Sequence, residues 1–156
     1  MAPTNGSVAR WFEDYPAEAV FDIGSIEVQE QEVLEFARRF DPQPFHTDPV
    51  AAADSHFGGL IASGWHTASL MMRLLATNFL SPVSSLGSPG VDELRWLRPV
   101  RPGDVLRGSV TVLSARRSAS KPDRGLIESR IEMHNQHGEL VFSTRAVSLL
   151  RCRGAA

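Results

Sequence analysis

Apolar and polar residues alternate over residues 21–28, where Phe21, Ile23, Ile26 and Val28 share a rhythm broken at Gly24, and this predicts a strand. The period then lengthens. Val33, Phe36, Ala37 and Phe40 fall on one stripe of a helix predicted over 29–40, with Glu30, Glu32, Glu35, Arg38 and Arg39 around the rest. Its acids lead and its bases trail, which suits the helix dipole, and Pro42 ends it so that Asp41 emerges at the C-terminal end. The negative end of the dipole there predicts a modestly raised pKa for Asp41. Residues 64–79 form a second predicted helix that is apolar nearly all round, carrying Trp65, Ala68, Leu70, Met71, Met72, Leu74, Leu75, Ala76 and Phe79. Such a helix belongs inside the fold. Four strand-like runs follow, at 91–97, 105–115, 126–134 and 140–150, and the turn sequences Lys121-Pro122-Asp123-Arg124-Gly125 and Asn135-Gln136-His137-Gly138 join the last three as antiparallel hairpins. Pattern alone therefore predicts one α+β domain over 1–156 with a sheet around a buried helix, and no internal repeat.

Composition narrows the class. A chain of 156 residues with 42% hydrophobic and 22% charged residues buries a core without staples. The single cysteine, Cys152, excludes an intramolecular disulfide and suggests a reducing compartment. Residues 1–22 lack the basic and apolar blocks of a signal peptide, and the apolar run 60–80 is interrupted by His66, Arg73 and Asn78, so a cytoplasmic protein without a membrane span is expected. Asn5-Gly6-Ser7 fits a glycosylation pattern, which is a chance match without secretion. The net charge of −2 hides an asymmetry: residues 1–90 carry four basic residues against eleven acidic, and residues 91–156 carry twelve against seven. The basic half suits an anionic ligand, but its arginines lie in alternating strand-like segments without interleaved aromatic residues, which argues against nucleic acid.

Candidate chemistry concentrates in Phe40-Asp41-Pro42-Gln43-Pro44-Phe45-His46. Pro42 and Pro44 fix their own φ angles, push Asp41 and Gln43 toward extended backbone, and predict a stiff non-helical arch with Asp41 and His46 at its ends. A carboxylate beside an imidazole can hold a water and move its protons near neutral pH. The same residues also read as a helix stop at Asp41 and an ordinary, carbonyl-satisfied histidine at His46. Downstream, the free amide at Gly64 offers an anionic oxygen a hydrogen bond and the favourable end of a helix dipole, while Ser63 in front of it equally reads as a plain N-cap.

The run over residues 36–75, including Phe57-Gly58-Gly59-Leu60-Ile61-Ala62-Ser63-Gly64-Trp65-His66-Thr67, resembles the MaoC-like hydratase/dehydratase family, whose members include the (R)-specific enoyl-CoA hydratases. Asp41, Pro44, Phe45, His46 and Gly64 match the family pattern, and Gln43, one methylene longer, stands where the family has Asn. A weaker echo runs over residues 89–104. The resemblance implies a hot-dog fold, a curved antiparallel sheet wrapped around a long buried central helix. It puts the catalytic Asp on Asp41, the catalytic His on His46 and the thioester oxygen on the Gly64 amide. Gln43, Phe45, Ser63, Trp65 and His66 are the neighbouring candidates for substrate contact.

The implied reaction is reversible addition of water across a trans-2-enoyl-CoA to give a (3R)-hydroxyacyl-CoA, with no metal or other cofactor. His46, His56, His66, His134 and His137 lack metal-ligand spacing. Two alternatives stay open: a hot-dog acyl-CoA thioesterase using the same helix-start site, and a non-catalytic acyl-CoA-binding subunit in which Gln43 has disabled water positioning. Family members with this fold are dimers or larger. Trp11, Phe12, Trp65 and Trp96 are the apolar candidates for a homodimer contact.

Overall fold

In the computed structural model, which describes residues 9–155, the alternating segments become β1 (Val20–Glu27), β2 (Val91–Trp96), β3 (Val105–Arg117), β4 (Arg124–His134) and β5 (Leu140–Arg151). The helical segments become α1 (Glu30–Phe40), α2 (Pro44–Thr47), α3 (Pro49–Ala53) and α4 (Gly64–Asn78). Asn5-Gly6-Ser7 lies outside the described residues. The strands form one antiparallel sheet in the order β1-β3-β4-β5-β2, which leaves β2 and β1 at its edges. Gly24 stands at φ +88° where the β1–β3 register slips, a conformation that glycine adopts without steric cost.

One face of the sheet is the core. Leu106, Val110 and Val112 of β3, Ile127, Ile131 and Met133 of β4, and Phe142 and Leu150 of β5 are fully or almost fully buried, and Leu70, Met71, Leu74 and Leu75 of α4 complete the same cluster. Each such side chain contributes about 1.5–3 kcal/mol of burial free energy. Tyr15, Phe21 and Phe79 form a cluster of tilted and edge-on rings, with the Tyr15 hydroxyl donating to the Phe79 carbonyl at 2.6 Å. This is the hot-dog arrangement: a curved antiparallel sheet with α4 as its filling. The sheet covers one side of α4, and Trp65, Ser69, Met72, Arg73, Ala76 and Thr77 form an exposed stripe on the other. Periodicity had reached all the way round because Trp65, Met72 and Ala76 are apolar; one sheet of five strands does not reach them.

The proline arch differs from its expectation. Pro42 does stop α1, leaving Asp41 outside the helical region at φ −153° and ψ 69° and Gln43 extended at φ −83° and ψ 141°. Pro44, however, opens α2, because its fixed φ and missing amide suit the first helical position. A second unforeseen turn follows the same rule. Pro49 opens α3 while the Asp48 carboxylate accepts from the amides of Val50 and Ala51 at 2.9 and 3.3 Å.

Half of the twelve basic residues in 91–156 form ion pairs among the described residues. Arginines of the basic half meet acids of the acidic half in Arg107–Asp22, Arg117–Glu13 and Arg153–Asp14, and acids of their own half in Arg98–Glu139, Arg124–Asp123 and Arg145–Glu128. Phe12, one of the residues expected at a subunit contact, packs its ring over Gly125, where a Cβ would come within 2.3 Å of it. No helix among the described residues is long and apolar enough to cross a membrane.

Candidate active site

The strip from Ile61 to Gly64 organises the site, since it is fastened on one side to α2 and on the other to the segment after β2. Its Ile61 amide donates to the Phe45 carbonyl at 3.2 Å, and its Ile61 carbonyl accepts from His46 Nδ1 at 2.7 Å. Toward the other side the Ala62 amide donates to the Val100 carbonyl at 2.8 Å. Ser63 caps α4 by accepting from the Trp65 amide, and its hydroxyl donates to Asp41 Oδ2 at 2.7 Å. One serine thus starts the central helix and holds the carboxylate.

Asp41 and His46 meet. His46 Nε2 lies 3.3 Å from Asp41 Oδ2, with the imidazole side chain 6% exposed and the carboxylate 18%. A carbonyl only accepts, so Ile61 fixes the proton on Nδ1 and turns the second nitrogen toward Asp41. Gln43 reaches Asp41 Oδ1 at 2.7 Å, so the longer amide grips the carboxylate. Burial opposes ionisation of Asp41, but the hydrogen bonds from Gln43 and Ser63 and the neighbouring imidazole outweigh it and hold the carboxyl below its usual range. The expected rise from the α1 dipole is therefore overturned: two direct donors exceed the effect of a helix end.

These groups open on a cavity of about 460 Å³ lined by Asp41, Gln43, His46 and Gly64 together with Phe45, Phe57, Trp65, Trp96, Leu97 and Arg98. Its size is that of a small-ligand pocket. The Gly64 amide donates to no acceptor among the described residues, and Trp96 Nε1 donates to the Gly64 carbonyl at 2.7 Å. Trp65 and Trp96 meet edge to face at the rim, with ring centroids 5.1 Å apart.

Of the expected contact residues, Gln43, Phe45 and Trp65 line the cavity, and Ser63 stands behind Asp41. His66 is not among the lining residues. It lies under α1, stacked on Phe36 at 5.0 Å, with Nδ1 buried and without a partner among the described residues. The wall formed by Trp96, Leu97, Arg98, Pro99 and Val100 falls in the stretch where the sequence showed only a weaker echo of the family pattern, and none of these residues was among the expected substrate contacts. A larger hollow of about 680 Å³ at the far end of α4 holds the paired Arg107 and Asp22, together with Arg10, which closes the helix by donating to the carbonyls of Asn78 and Phe79. No group of three or more potential metal-ligating side chains occurs among the described residues.

A solved MaoC-like dehydratase from Rhodospirillum rubrum is 40% identical and superposes with a TM-score of 0.85, covering 93% of this chain and 99% of its own. The (R)-hydratase from A. caviae involved in PHA biosynthesis is 27% identical with a TM-score of 0.69, over 85% of this chain and 94% of that one. The uncharacterized protein YdeM of Bacillus subtilis is 26% identical over 132 residues, 85% of this chain and 92% of its own. The family model described as "MaoC like domain" matches residues 12–128, three of the four sheet strands after α4 included in whole or part, and the chain belongs to the MaoC-like domain family.

Proposed function

We propose that this protein adds water reversibly across the double bond of a trans-2-enoyl-CoA to give a (3R)-3-hydroxyacyl-CoA. The observation that carries the reading is the Asp41–His46 pair, 3.3 Å apart on the wall of the cavity that the free Gly64 amide also lines. With Nδ1 tied to Ile61, His46 Nε2 is the atom that takes a proton from water, and the ionised Asp41 stabilises the imidazolium that forms. The water oxygen bonds to C3, the π electrons move onto the thioester oxygen, and the Gly64 amide stabilises that enolate. The imidazolium then returns its proton to C2, which leaves the protein as it began. An acid/base residue of this kind contributes about 10² to 10⁴ in rate, and one oxyanion donor about 10² to 10³. The (R)-hydratase likeness supports the stereochemical course.

A homodimer or larger assembly belongs to the same reading. One side of β2 is an open sheet edge; Val91, Trp96 and the following Leu97 are exposed there, and Trp96 meets the exposed Trp65 of α4. Light scattering is expected to give at least twice the 17.1 kDa mass of the chain.

Crotonyl-CoA tests the reaction. Loss of enoyl absorbance without release of free thiol, with a product oxidised by an (R)-specific and not an (S)-specific 3-hydroxyacyl-CoA dehydrogenase, is the expected result. Thiol release in step with turnover assigns a thioesterase instead. Tight acyl-CoA binding with no turnover assigns a binding subunit.

A further inference from the structure

We propose that Trp96 is a positioning residue that sets the Gly64 amide from the edge strand, and that glycine stands at 64 because Trp96 occupies the space of a side chain there. The inference rests on the hydratase reading above for the use made of that amide. Its structural half stands independently.

Trp96 ends β2, where it pairs with Phe142 of β5, and the next residue continues the register as the Leu97 amide donates to the Val141 carbonyl at 2.9 Å. The tryptophan backbone is thus fixed by the sheet. From there its indole N–H reaches the Gly64 carbonyl at 2.7 Å, and its ring lies so close to Gly64 that a Cβ would come within 2.4 Å of the ring carbon Cε2 and 2.5 Å of Nε1. Real Cβ atoms do not approach that closely, so either the ring or the helix start would move. Gly64 has no positive φ to require glycine. A plain helix start accepts alanine readily, so the demand for glycine comes from the neighbour.

The contact acts where the proposed chemistry is most sensitive to distance. Ala62 is held by the Val100 carbonyl and Gly64 by the Trp96 indole, so two anchors from residues 96–100 bracket Ser63 and the free amide. On the opposite side His46 holds Ile61. The oxyanion donor and the acid/base pair are therefore referenced to one another through four consecutive residues, Ile61 to Gly64. Loss of the Trp96 anchor frees one side of that frame, and a displacement of about 1 Å can cost on the order of 10² in rate.

A double-mutant cycle tests this, with Trp96→Phe as the conservative arm. Trp96→Phe keeps most of the ring and removes the N–H; kcat for crotonyl-CoA is expected to fall about tenfold with KM changed less than about twofold, since the loss is in transition-state alignment. Gly64→Ala alone is expected to lower both melting temperature and kcat, the latter by about 10². In a Trp96→Ala background the same Gly64→Ala change is expected to cost no melting temperature and less than about fivefold in kcat, a coupling that additive sites do not show. An unchanged kcat in Trp96→Phe, or an equal cost of Gly64→Ala in both backgrounds, overturns the proposal. If the parent hydrates no enoyl-CoA, the hydratase reading and the catalytic half of this inference fall together. The melting-temperature cycle still decides whether Trp96 is what forbids a side chain at 64.

Discussion

His46 and His66 are equally buried, each 5% exposed, and sit at opposite ends of one short stretch of chain, yet they have become different chemical objects. His46 has a partner for each nitrogen: the Ile61 carbonyl fixes one and the Asp41 carboxylate faces the other. His66 has an aromatic face, the Phe36 ring stacked 13° from parallel, and a buried Nδ1 with no partner among the described residues. Burial pushes the His66 pKa below the ordinary histidine value, and the Glu32 carboxylate only partly offsets it. Depth of burial therefore does not separate the proposed proton carrier from a packing group. Hydrogen-bond partners do, because only they give a proton somewhere to come from and go to.

The largest expected effect breaks the pair that has partners. Asp41→Asn and His46→Ala are each expected to lower kcat/KM for crotonyl-CoA by about 10³, following the loss of enoyl absorbance. His66→Phe keeps a ring against Phe36 and is expected to stay within about twofold, because no part of His66 lines the cavity. Wild-type rates in both Asp41→Asn and His46→Ala, or a collapse in His66→Phe, would reverse the assignment of roles between the two histidines.

Ser63 lies between the regions and carries a smaller effect of two kinds. Ser63→Ala removes the N-cap of α4, worth about 1 kcal/mol of stability, and one of the two donors on Asp41. With that donor gone the Asp41 carboxylate is held less firmly against His46, and kcat for crotonyl-CoA is expected to fall about tenfold. Ser63→Thr, which keeps the hydroxyl, is expected to restore most of that rate. A lower melting temperature with an unchanged kcat would reduce Ser63 to a cap.

How much of this was legible follows from range. The strands, α1 and α4 rest on periodicities of two and 3.6 residues, which the sequence displays directly, and their observed bounds fall close to the expected ones. The Asp41, His46 and Gly64 candidates rest on a local motif, and they share one cavity. What escaped was tertiary. The two one-turn helices were hidden because proline reads as a breaker, although Gln43-Pro44 and Asp48-Pro49 place it at the position where it starts a helix. The side of α4 that the sheet leaves open depends on how far five strands wrap. The lowered pKa of Asp41 needed Ser63, twenty-two residues away, and the fate of His66 needed to know that α1 crosses above it.

The smallest expected effect is thermodynamic and isolates His66. Its pKa is lowered on folding, so the unfolded chain takes up a proton near the ordinary value of about 6.5 while the folded protein does not until lower pH. Above pH 7 both states are neutral at this site and His66 adds no pH dependence. As pH falls through the unfolded value toward the folded one, the unfolded state binds more protons and the fold loses stability; below the folded pKa the loss levels off. Asp41, whose pKa is also lowered, acts in a separate window: its stabilisation is complete above the ordinary carboxylate value of about 3.9 and is lost as pH drops below it. Melting temperatures of the parent and His66→Phe are therefore expected to run parallel above pH 7 and to diverge between pH 7 and 5, where the parent falls more steeply. Parallel curves down to pH 5 would mean that the stacked imidazole finds a proton acceptor after all, and the contrast with His46 would lose its physical basis.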